Sequence, residues 1–107
     1  MIRVPVPDEL GSNGLALVRA DEREIVVLSV DGALRAVDRW CIHEDGDLAE
    51  GMMFRGNIKF PVHGYIFNLA NGRCLNAFGM VARVYAVEMD GNELLLTELT
   101  QPAGRGL

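Results

Sequence analysis

An all-β domain, a small sandwich or barrel of antiparallel strands, is the fold class that the sequence predicts. Three observations predict it. Apolar residues alternate or cluster in short runs instead of recurring every three to four positions. Twelve glycines, several in Asx-Gly pairs, punctuate those runs. A chain of 107 residues suffices for one core and no more.

Taken in order, Leu15 to Val18, Glu24 to Val30 and Ala33 to Val37 read as strands. Asp31-Gly32 turns the second into the third, because this pair readily takes the positive φ of a tight hairpin. Asn57 to Phe60 and Tyr65 to Leu69 are further short strands, and Asn71-Gly72 turns the chain into Arg73 to Leu75. Val81 to Met89 alternates with period two, reaches Asp90-Gly91 and returns through Glu93 to Leu99. No segment has helical periodicity. One domain is expected over residues 1–100, with Gln101 to Leu107, rich in Gly and carrying Pro102, as a flexible tail.

Ten Lys and Arg against fifteen Asp and Glu give a formal charge of −5. Nucleic acid and anionic membrane surfaces are therefore poor partners, since both need clustered positive charge. No apolar run reaches the roughly 18 residues of a membrane span, and the first residues show no secretory apolar stretch. A cytoplasmic protein is expected.

Cys41 to Gly56 has little β-pattern and holds three glycines and four acids, Glu44, Asp45, Asp47 and Glu50. A loop of that length in a compact domain is usually functional. A shorter loop follows at Phe60 to Gly64, and both histidines of the chain lie in these two loops. One residue separates Cys41 from His43, so an extended backbone projects both to the same side. His63 arrives from the other loop, behind a stiffening Pro61 and ahead of Gly64. Two loops meeting tip to tip converge a thiolate and two imidazoles, a set suited to iron or zinc.

Val26 to Gly32, Ala36-Val37-Asp38, Cys41-Ile42-His43, Leu48, Gly51, Pro61-Val62-His63-Gly64, Phe67 and Asn71-Gly72 together resemble a Rieske ferredoxin. That family includes the small soluble ferredoxins of ring-hydroxylating dioxygenases and the small subunit of nitrite reductases. The resemblance implies a Rieske-type antiparallel β-sandwich or barrel with two metal-site loops, a [2Fe–2S] cluster, and service to an oxygenase or reductase component. The family motif is C-x-H, a spacer, then C-x-x-H-G, and the 16 residues between His43 and position 60 fit it. Carried over, Cys41, His43 and His63 are cluster and metal ligands. Position 60, however, is Phe60 where the family has its second cysteine. The Leu75 to Met80 segment also lacks the proline that the family carries in its covering loop.

Three outcomes stay open. Cys74 substitutes, although a hairpin at Asn71-Gly72 is expected to carry it away from the His63 end by roughly five strand residues, about 17 Å. A loop acid or external ligand completes the iron, although carboxylate is a hard donor for a sulfide-bridged cluster. Or no cluster forms, and Cys41, His43 and His63 hold one iron or zinc, or nothing. A completed cluster means electron transfer; without one, the functions are accessory service to a larger oxidoreductase, or a mononuclear metal site with an open position for catalysis.

Overall fold

A computed structural model of the chain describes residues 2–7, 14–20, 23–39, 51–59, 64–76 and 79–101. Among them there is no helix, and nine strands form two antiparallel sheets. The larger sheet has six strands: β1 (Ile2–Pro5), β2 (Leu15–Ala20), β3 (Arg23–Val30), β4 (Ala33–Asp38), β8 (Val84–Asp90) and β9 (Glu93–Glu98), in the order β1-β9-β8-β4-β3-β2. Its end strands β1 and β2 approach each other, so the sheet curls into a nearly closed barrel. The smaller sheet is β5 (Met52–Phe54), β6 (Asn57–Lys59) and β7 (Ile66–Asn68), paired in that order.

Two apolar clusters explain why these runs fold as they do. Val4, Ala20, Ile25, Val27, Ala36, Tyr85, Leu94 and Leu96 fill the inside of the barrel. Leu15, Val26, Leu28, Val37 and Val84, on the opposite face of the same wall, pack with Ile58, Phe67 and Leu69 of the small-sheet region and with Met80. The wall of β3, β4 and β8 is thus buried on both faces. That is why Ile25 to Leu28 is continuously apolar, whereas a strand with one wet face would alternate.

The turns follow their local chemistry. Asp31 and Gly32 both take positive φ, 51° and 84°, between the paired Val30 and Ala33, as expected of Asp-Gly. Gly91, at φ 66°, opens the two-residue turn between Asp90 and Glu93. Arg55-Gly56 makes the same kind of turn, at φ 51° and 82°, between β5 and β6.

Two expectations need correcting, and one strand adds to those expected. Cys41 to Gly56 is not one loop, because Met52–Phe54 forms β5. Its Arg-Gly turn lacks the Asx residue that marks a hairpin in sequence. Ile2–Pro5 forms β1 against β9; Pro5 at an edge hid it. Arg73 to Leu75 is not a continuous strand but makes isolated bridges, Arg73 to Val81 and Cys74 to Phe67, so β8 proper begins only at Val84. Of the expected tail, Gln101 to Leu107, residues 102–107 lie outside the described residues.

Candidate functional site

Cys41, His43, His63 and Phe60 lie outside the described residues, as do the acids of the first loop. What the structure describes is the frame that carries them. In the small sheet, Met52 pairs with Lys59 and Lys59 with Ile66. The chain entering β5 from residues 40–50 and the chain joining β6 to β7 through residues 60–65 therefore open at one end of this sheet. Both candidate loops are rooted there side by side. Met52, Lys59 and Ile66 share a cross-strand row on the face opposite buried Ile58 and Phe67.

The first loop leaves the barrel at Asp38 and Arg39, and this root is fixed by backbone and side chain together. Asp38 N donates to Arg83 O at 3.0 Å, and Arg39 N to Glu24 O at 2.9 Å. The Tyr85 hydroxyl donates to Asp38 Oδ1 and Arg83 Nη1 to Asp38 Oδ2 at 3.2 Å. Arg23 Nη1 donates to the Tyr85 oxygen at 3.2 Å and pairs with Glu98 at 3.0 Å, while Arg83 Nε lies 3.4 Å from Glu98 Oε2. Burial pushes the Asp38 carboxyl above its ordinary value, although Tyr85 and Arg83 pull the other way. Burial, then the bond to Asp38, pushes the Tyr85 phenol up to about 12.

At the second root stands Asn76, which sequence reasoning did not single out. Its Nδ2 donates to Gly64 O at 2.9 Å, and its Oδ1 accepts from Ile66 N at 3.0 Å. The Cys74 thiol donates to the same Oδ1 at 3.3 Å and packs against the cluster of Phe67 and Ile58. The expected separation of Cys74 from His63 involves a residue outside the described ones, and what the structure gives is the place of Cys74 against β7. After Asn71-Gly72 the chain runs antiparallel back along β7, so Cys74 faces Phe67 and Leu75 N donates to Ile66 O at 2.7 Å. The return run offsets part of the outward one and sets Cys74 opposite Phe67, four positions past His63 in sequence.

Among the described residues no group of three or more His, Cys, Asp or Glu is placed to hold a metal ion. Asp38 stands among the residues that carry the resemblance, whereas the signals that point to Tyr85 and Asn76 in sequence are generic. A Tyr at a core-patterned strand position needs a partner for its hydroxyl, and an Asn beside a turn commonly bonds backbone.

Comparison with known proteins gives one consistent result. The family model for the Rieske [2Fe-2S] domain matches residues 1–96. The ferredoxin component of the naphthalene 1,2-dioxygenase system of Pseudomonas aeruginosa is 25% identical over 97 residues, 90% of this chain and 88% of that protein. The ferredoxin of carbazole 1,9a-dioxygenase from Nocardioides aromaticivorans IC177 superposes with a TM-score of 0.72 at 25% identity, covering 90% of this chain and 95% of its own. A putative nitrite reductase small subunit shares the fold at a TM-score of 0.72 and 19% identity, covering 90% and 98%. No helix among the described residues is long and apolar enough to cross a membrane.

Proposed function

The chain belongs to the Rieske [2Fe-2S] domain family, and from that membership we propose that it serves an oxygenase or nitrite-reductase-like oxidoreductase as an electron-transfer or accessory component. The observation that carries this reading is the Met52–Lys59–Ile66 register, which roots both candidate loops at one end of the small sheet and so offers a single face to a partner. The relatives named as ferredoxins of dioxygenase systems supply the partner class, an oxygenase component. A cytoplasmic setting goes with this reading, as that of a ferredoxin-like component of an oxidoreductase system.

The family implies a [2Fe–2S] cluster, in which two cysteines hold one iron and two histidines the other. Cys41, His43 and His63 occupy three of the four family positions, and Phe60 offers no donor at the fourth. The chain has one further cysteine, Cys74, and its thiol is engaged with Asn76 and the core. The residues present do not fit a complete cluster ligand set, which favours the accessory role over the electron carrier. A thiolate with two imidazoles is also a complement that single zinc or iron ions accept, so the second reading is a mononuclear metal on Cys41, His43 and His63.

Iron, zinc and acid-labile sulfide per chain, measured on anaerobically purified protein, test the incomplete set. The expected result is no sulfide and at most one metal ion; two irons with two sulfides overturn it. In Phe60→Cys the four family positions are filled, and anaerobic treatment with iron and sulfide is expected to yield a coloured cluster. A colourless Phe60→Cys protein overturns the assignment of position 60.

A further inference from the structure

The Asn76 carboxamide joins three segments with one planar group. Two donors, Ile66 N and the Cys74 thiol, meet its Oδ1, and one acceptor, the Gly64 carbonyl, meets its Nδ2. The partners on the two sides differ in kind, so the amide has one satisfied orientation. Gly64 directly follows His63, and the Lys59–Ile66 pair closes the hairpin that holds both. Gly64 sits at φ 71°, where an added Cβ would meet nothing nearer than the far end of Lys59 at 3.7 Å. Space is therefore not what fixes the backbone here. The bonds from Asn76 to the peptide groups on either side of Tyr65 constrain it, together with the Lys59–Ile66 pairing and the bond from Leu75 N to Ile66 O.

We propose that Asn76 is the positioning residue of the Gly64–Ile66 segment, the root on which the loop carrying His63 is built, and that Cys74 holds the Asn76 amide in register rather than serving as a metal ligand. The functional half of this inference rests on the reading of His63 as a site residue. The physical argument is specific to a carboxamide. Aspartate at position 76 still accepts from Ile66 N and Cys74 but sets a carboxylate against the Gly64 carbonyl, and alanine makes none of the three bonds. Removing an outer residue that orients a metal-binding side chain typically costs about 10- to 100-fold in metal affinity.

The test uses the full chain as wild type, Asn76→Asp, Asn76→Ala and Cys74→Ser. It reads Co2+ titration by absorbance, and amide exchange at Tyr65 and Ile66 against Val26 and Leu94 in the barrel. Both Asn76 variants are expected to bind Co2+ about tenfold more weakly or worse, with faster exchange at Tyr65 and Ile66 and unchanged exchange at Val26 and Leu94. Cys74→Ser keeps a donor to Asn76 and is expected to bind Co2+ like the wild type. Wild-type affinity in Asn76→Asp overturns the positioning role, and loss of Co2+ binding in Cys74→Ser overturns the place given to Cys74. If the wild type takes up no Co2+, the metal reading of Cys41, His43 and His63 fails by itself. The hairpin constraint is then decided by exchange alone: local acceleration in Asn76→Asp upholds it, and unchanged rates at Tyr65 and Ile66 overturn it.

Discussion

Tyr85 fills the barrel with its ring while its hydroxyl reaches Asp38, the last residue of β4 before the first loop. Its phenol is held up to about 12 from an ordinary 10.0, so the folded state favours the protonated form. The stabilisation is complete below pH 10 and is lost as pH rises through about 12. In that window the wild type should lose up to about 1.4 kcal/mol per pH unit relative to Tyr85→Phe, read from urea midpoints of the two proteins. At neutral pH, Tyr85→Phe leaves Asp38 one bond short and should cost about 1–2 kcal/mol. Equal pH profiles would remove Tyr85 as the titrating group. Two glycines make a second contrast at this scale. A Cβ on Gly72 would lie 2.2 Å from the Ala82 carbonyl oxygen, whereas one on Gly91 meets nothing within 4 Å. Both take positive φ, so Gly91→Ala should cost about 1–2 kcal/mol for conformation alone. Gly72→Ala must also displace backbone, and its thermal midpoint should fall well below that of Gly91→Ala.

Strands whose burial pattern is strong were legible in the sequence, and strands defined by their partners were not. Glu24 to Val30 and Ala33 to Val37 declared themselves through apolar runs around Asp31-Gly32, and the structure places β3 and β4 there within a residue. β5 is three residues long with Met52 and Met53 exposed, so no burial pattern marked it; pairing with β6 makes it a strand. The same distinction holds for the site. C-x-H and Pro-Val-His-Gly carry their spacing within a few residues, and the family match over residues 1–96 agrees with the resemblance drawn from them. Asn76 reaches Gly64 across 12 positions and Tyr85 reaches Asp38 across 47, distances over which sequence pattern says nothing about contact. Among the described residues, Ile58 on β6 and Phe67 on β7 are the buried side chains that pack the small sheet on the barrel wall. Phe67→Ala should therefore cost about 3–5 kcal/mol in urea unfolding. A loss below about 1 kcal/mol would mean that the contact between sheet and barrel is not what holds the loop end in place.

The two clusters are unequal in what they secure, and this sets how the whole molecule should open. The barrel strands β2, β3, β4 and β8 contribute to both clusters, so unfolding any of them exposes apolar surface on two faces. The small sheet contributes to one cluster and its strands are three residues each, so it can lift while the barrel interior stays closed. Native-state hydrogen exchange should then resolve a sub-global opening in which the Ile58 and Phe67 amides exchange together, at a free energy at least about 1 kcal/mol below that of Val26 and Leu94. Denaturant should affect this opening less than global unfolding, because less surface is exposed. If all four amides exchange at one free energy with one denaturant slope, the chain is a single cooperative unit and this division is wrong. The division bears on function because both candidate loops are rooted on the weaker unit. Asp38 ties the first loop to the barrel on one side, and Asn76 ties the second within the small sheet on the other. The sub-global opening should therefore carry the Met52–Lys59–Ile66 register, and the loop roots on it, as one unit.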